Sequence, residues 1–91
     1  MRYRVSARFD RSVKRLDPGR KQRVQEAIDR LVAAFETGEL PAGLGLKQLK
    51  AGLWELRAGL ADRVLFYRTG DRVEFLAAGN HDDIKRLLHT L

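Results

Sequence analysis

Between positions 52 and 84 the chain carries Glu55, Arg57, Arg63, Tyr67 and His81, a set of groups able to act on an RNA phosphodiester. Cleavage without a metal has three requirements. The 2′-hydroxyl must lose a proton, the charge of the phosphorane must be met, and the 5′ oxygen must gain a proton. Arginine suits the second task because its planar fork grips two phosphate oxygens and stays charged. Arg63 is the first choice for it and Arg57 the second. The alternative for Arg57 is a surface ion pair with Glu55 or Asp62, which contributes roughly 0–1 kcal/mol. His81 suits the third task, since histidine exchanges protons near neutral pH. Its alternative is a loop histidine hydrogen-bonded to Asp82 or Asp83, or one that only flanks a helix. Glu55 either takes the 2′ proton or orients an arginine, and the two neighbouring arginines favour the orienting role slightly. Lys47 or Lys50 would instead stabilise the 2′ oxyanion. Tyr67 offers a ring on which a base can stack, although a tyrosine on a sheet face is more often packing. His89 reads as a surface residue.

A sheet is needed to bring these groups together. The segment from Gly52 to Ile84 reads as three antiparallel strands, at about 53–58, 62–69 and 72–78. A tight turn centred on Gly70-Asp71 sets the register. It pairs Arg68 with Val73, Tyr67 with Glu74, Phe66 with Phe75, Leu65 with Leu76 and Val64 with Ala77. Partners across strands share a face. One face then holds Val64, Phe66, Val73, Phe75 and Ala77, joined by Trp54 and Leu56, and must meet the helices. The other holds Arg63, Leu65, Tyr67, Glu74 and Leu76, joined by Glu55 and Arg57. It is expected to be exposed, with His81 at its rim.

The remaining elements supply the cover. Residues 2–9 alternate as a short strand, with Tyr3, Val5, Ala7 and Phe9 on one side. Asp10 would cap a helix over about Arg11–Leu16. Asp17-Pro18 starts a second helix that runs to Thr37 and stops at Gly38. Its apolar stripe is Val24, Ala27, Ile28, Leu31 and Phe35. The two helices form a hairpin laid on the sheet. GELPAGLG (38–45) is a connecting loop without the lysine of a phosphate-binding loop, and LKQLKAG (46–52) leads into the sheet. A terminal turn or helix, capped by Asp82 or Asp83, presents Ile84, Leu87 and Leu88. The expected class is α+β, in a single domain over residues 1–91.

Composition narrows the chemistry. The chain has 91 residues, no cysteine and a net charge of +6. Residues 1–30 hold ten Lys and Arg against four Asp and Glu, whereas residues 31–91 hold eight of each. The excess, which suits a nucleic acid or an acidic partner, therefore lies upstream of the candidate site. A solvated helix face would account for it equally well. Two histidines eight positions apart make no metal site, and no cofactor is expected. Nothing approaches a membrane span, and the N-terminus lacks the apolar core of a signal peptide. A cytoplasmic setting is the expectation. There is no Ser-His-Asp arrangement and no helix-turn-helix signal.

The order of elements, with LKxL…GLWELR, then DRVLFY, then AAGNHDDI, resembles the RelE/ParE toxin superfamily of type II toxin–antitoxin systems. It is most similar to the RelE and HigB branches, and the resemblance spans essentially the whole chain. It implies a ribosome-dependent, metal-independent mRNA endonuclease that leaves a 2′,3′-cyclic phosphate and is neutralised by a cognate antitoxin protein. On this resemblance Arg63 matches an arginine at the scissile phosphate and His81 a histidine that protonates the leaving oxygen. Lys47 matches a basic residue near the site, and Arg57 a common position of less certain role. Two departures leave the base and the stacking platform open: Glu55 stands where some members have lysine, and no tyrosine follows Tyr67. The alternatives are a ParE-like toxin that binds DNA gyrase without nuclease chemistry, and an inactive protein of the same fold that only binds its partner.

Overall fold

Two capping side chains decide where the N-terminal helices begin. In the computed structural model, which describes residues 1–39 and 43–91, β1 (Arg2–Val5) ends early and α1 (Ala7–Lys14) follows at once. Ser6, extended at φ −74°, ψ 157°, accepts a hydrogen bond from the Phe9 N–H at 3.0 Å. The expected strand over 2–9 and the Asp10 cap are therefore incorrect: a side-chain oxygen at position 6 satisfies the first helical turn before Asp10 is reached. Phe9 enters the core from a helix, while Tyr3 and Val5 stay 37% and 48% exposed. The second helix, α2 (Pro18–Thr37), matches expectation at both ends, with Asp17 accepting from the Arg20 N–H and Gly38 at φ 76°. Val24, Ala27 and Leu31 are buried, joined by Ala34; Ile28 is half-buried, as is Phe35, which lies under the Arg68 guanidinium at 5.0 Å. Of the expected loop at 38–45, residues 40–42 lie outside the described residues.

The sheet has five strands in the order β1-β5-β4-β3-β2. LKQLK is itself a strand, β2 (Leu46–Lys50), paired antiparallel with β3 (Leu53–Ala58). It was expected only to lead into the sheet, because its alternation is short and lysine-rich, as edge strands are. β4 (Asp62–Thr69) and β5 (Arg72–Asn80) complete the meander, and β1 pairs parallel with β5. The turn sets the expected register as far as Phe66 opposite Phe75. Beyond it a bulge intervenes, so Leu65 faces Ala77 and Val64 faces Ala78. Leu76 is the extra residue. The expected pairs Leu65–Leu76 and Val64–Ala77 are thus shifted by one, and Ala77 changes face.

Both faces of the sheet are covered in part. On one, Val64, Phe66, Val73, Phe75, Leu56 and Ala78 pack with residues of α1 and α2. On the other, α3 (His81–Leu88) lays Ile84 onto Leu53, Leu65 and Ala77, forming a second core. That face was expected to be open; Leu53 and Leu65 are instead fully buried. The cap of α3 is Asn80, not Asp82 or Asp83. Its side chain accepts from the Asp83 N–H at 2.8 Å, and the Asp83 carboxylate accepts from the Asn80 N–H at 3.0 Å. If the second core anchors α3, Leu65→Ala costs about 2–5 kcal/mol. Urea titration followed by circular dichroism measures it, and a loss below 1 kcal/mol would place α3 off the sheet.

Candidate functional site

Register brings Lys47, Glu55, Arg57 and Arg63 onto adjacent positions of one face. Lys47 lies opposite Glu55, and Arg57 lies opposite Arg63. Directly facing arginines repel, and a single carboxylate in this group answers three cations. Arg63 Nε is 3.2 Å from Glu55 Oε1, and both side chains are 16% exposed. A second guanidinium nitrogen of Arg63, Nη1, donates to the Asp62 carbonyl at 3.1 Å. Arg63 is therefore held in one orientation, in agreement with the orienting role considered for Glu55. Arg57 is exposed, and among the described residues it forms no ion pair. Neither carboxylate considered for it takes that role, since Glu55 holds Arg63 and Asp62 holds Arg20. Gly45 keeps Arg57 in place: its carbonyl accepts the Arg57 N–H at 2.9 Å, and at φ 80° a Cβ there would lie 2.8 Å from the Arg57 Cβ.

His81 is exposed as the first residue of α3, two positions beyond Gly79, the cross-strand partner of Arg63. Asp83, one of the partners considered for it, is engaged with the Asn80 N–H and with Arg86. Gly79 has no room for a side chain, because a Cβ would lie 2.7 Å from an Asp83 carboxylate oxygen. The helix that carries His81 is thus seated hard against the strand beside Arg63.

Tyr67 and Lys50 are placed elsewhere. Tyr67 lies four residues along β4 from Arg63, about 13 Å at the rise of a strand, with buried Leu65 and its α3 cover between them. It packs against the second core and lines a separate depression with Arg2, Arg4 and Arg72. Lys50 is exposed opposite Leu53, past an irregularity in β2.

One pair was not anticipated from the sequence. Asp62, 1% exposed, accepts from Arg20 Nε at 2.9 Å and Nη2 at 2.6 Å. This bidentate bond ties the first turn of α2 to the residue before Arg63. The hydrogen bond from Arg20 holds the Asp62 carboxyl below the usual carboxylate range, against the opposing effect of burial. The only sequence signal was an aspartate beginning an apolar strand, where an unpaired carboxylate would be costly.

No family model matches the sequence, and neither does any curated protein. Solved structures do. The chain aligns with the RelB–RelE antitoxin–toxin complex from Methanococcus jannaschii at a TM-score of 0.71 and 16% identity, covering 92% of this chain and 96% of that one. The YoeB/ParE toxin from Agrobacterium tumefaciens gives 0.65 and 20%, over 89% and 99%. The E. coli DinJ–YafQ toxin–antitoxin complex gives 0.60 and 15%, over 90% and 93%. The chain has the RelE/ParE-like toxin fold. At such identities the fold carries over while the site residues must stand on their own geometry. Within this toxin fold the Arg20–Asp62 pair is a structural strut, and the two ends of it are unequal. Arg20 is 30% exposed and regains water when freed, whereas Asp62 does not.

Arg20→Met should therefore cost about 3–5 kcal/mol and Asp62→Ala less. Because the folded carboxyl is held low, the pair's stabilisation is complete above about pH 4 and is lost as pH falls through the folded value. In Arg20→Met the buried carboxyl favours its neutral form, so that variant should lose ground to the parent as pH rises. Denaturant titrations between pH 3 and 7 read both trends, and parallel curves would remove the strut.

Proposed function

We propose that the protein is the toxin of a type II toxin–antitoxin pair and a metal-independent mRNA endonuclease acting on the ribosome. The observation that carries this reading is the facing Arg57–Arg63 pair, with Glu55 bonded to Arg63 alone and His81 at the adjacent strand end. One carboxylate answers only one of the two facing guanidinium groups, and a bound phosphate would meet the charge of the other. The solved structures of the same fold include toxins and their complexes with antitoxins, which supports the antitoxin partner.

In the proposed reaction Arg63, held by Glu55, and the freer Arg57 grip the two non-bridging oxygens of the scissile phosphate. The 2′ oxygen attacks phosphorus, its proton passing to solvent or to Glu55, and Lys47 meets the developing oxyanion. The bond from phosphorus to the 5′ oxygen breaks, and His81 protonates the leaving oxygen. The products are a 2′,3′-cyclic phosphate and a 5′-hydroxyl end. Glu55 is better suited to holding Arg63 than to acting as base, since one of its oxygens is already engaged.

Expression should arrest growth and leave mRNA cut within codons. His81→Ala should slow cleavage about 10²–10⁴-fold, and Arg63→Ala or Arg57→Ala about 10²–10³-fold. A cell-free translation extract containing EDTA-treated toxin, with end mapping of the fragments, reads the activity and its products. Growth arrest with intact mRNA and inhibited DNA gyrase would instead establish the ParE-like reading. Unchanged cleavage in all three variants would remove this site.

A further inference from the structure

Four of the ten N-terminal cations share one place in the fold. A cleft of about 390 Å³ opens between α1, the start of α2, the end of β5 and α3, and Arg8, Arg11, Arg15, Arg20 and Arg86 line it. Arg20 is bound to Asp62 and Arg86 to Asp83. Arg8, Arg11 and Arg15 are exposed and have no ion pair among the described residues. Their spacing of three and four residues sets them in one stripe, with Cβ atoms about 5–6 Å apart. Among the described residues Asp83 is the only carboxylate lining the cleft, and it already serves the cap of α3. A row of unpaired guanidinium groups facing a cleft is an anion site by charge alone.

The walls narrow the anion further. An acidic peptide adding as a strand finds no open edge here. The Leu76 carbonyl accepts from Ser6 Oγ at 3.0 Å, and the Ala78 N–H donates to Ser12 Oγ at 2.9 Å. Among the described residues no aromatic side chain lines the cleft, so bases have nothing there to stack on. What remains is recognition of phosphate groups by arginine forks, without base preference. The floor ends at Gly79 and Asn80, which lie beside Arg63 and His81. None of Lys47, Glu55, Arg57, Arg63 and His81 lines the cleft, but its floor ends one strand from Arg63 and one residue before His81.

We infer that this cleft binds successive phosphates of the single RNA strand whose scissile bond lies at Arg57 and Arg63. The assignment rests on the RNA-cleaving reading for the direction of the strand, but binding itself is measurable without cleavage. The probe is a fluorescent 12-nucleotide RNA with 2′-O-methyl sugars, which has no free 2′-hydroxyl and which the proposed chemistry cannot cut. Arg11→Gln/Arg15→Gln should weaken its binding about tenfold at 100 mM salt. The salt slope should fall by about 1.4, two contacts at roughly 0.7 each. Arg8→Gln/Arg11→Gln should act alike, and circular dichroism confirms that these surface variants are folded. A trinucleotide spanning only the scissile phosphate should bind the parent and both variants equally. Unchanged affinity and slope, or no binding by the parent, overturns the inference. So does RNA binding that is unchanged while binding of a polyglutamate peptide is lost, which would assign the cleft to an acidic protein. If Arg63→Ala cleaves normally yet the cleft variants lose RNA, the catalytic reading fails and the cleft stands.

Discussion

Everything about this protein is organised by the burial of one strand on both its faces. Along β4, Val64 and Phe66 face the helical hairpin, and Leu65 faces α3. A strand that is apolar on both sides must be covered twice, and an unpaired polar group within it is costly. The apolar run therefore leaves polar side chains only at its ends. Arg63 lies at one end and Tyr67 at the other, and α3 closes the space between them. This is why the polar groups of that face fall in two separate places.

The ends of β4 are anchored by different means. At the Arg63 end the anchor is electrostatic. Asp62 is sunk beneath α2 and gripped by Arg20, and the next residue is held by Glu55. A buried ion pair adds little net stability over a well-packed apolar pair, but it tolerates only a narrow geometry. Placed next to Arg63, it converts the docking of α2 into the position of a guanidinium. At the other end the anchor is the two-residue turn at Gly70-Asp71, reinforced by the Arg2 N–H donating to the Asp71 carbonyl at 2.6 Å.

Much of this was legible in the residues themselves. The limits of α2 follow from Asp17-Pro18 and Gly38, because capping is a local interaction that needs no partner elsewhere. The hairpin register follows from its turn as far as Phe66. Other features were not legible. Ser6 and Asp10 both qualify as caps, and only the burial of Phe9 from a helix decides between them. The bulge at Leu76 inserts one residue without any Gly or Pro to announce it. The strand at 46–50 is a strand because β3 offers it an open edge, not because of its own composition.

By itself the sequence determined which side chains of β3 and β4 share a face. A period of two and a fixed turn put Glu55, Arg57 and Arg63 together whatever covers them, since alternation is a property of the extended backbone. Only the tertiary structure decided which of them are paired and which are exposed. Glu55 was equally available to Arg57 and Arg63, and Asp62 to Arg57 and Arg20. The choices were made by the docking of α2 and α3, which bury some of these groups and leave others in water. Desolvation depends on what arrives from distant parts of the chain, and no local pattern encodes it.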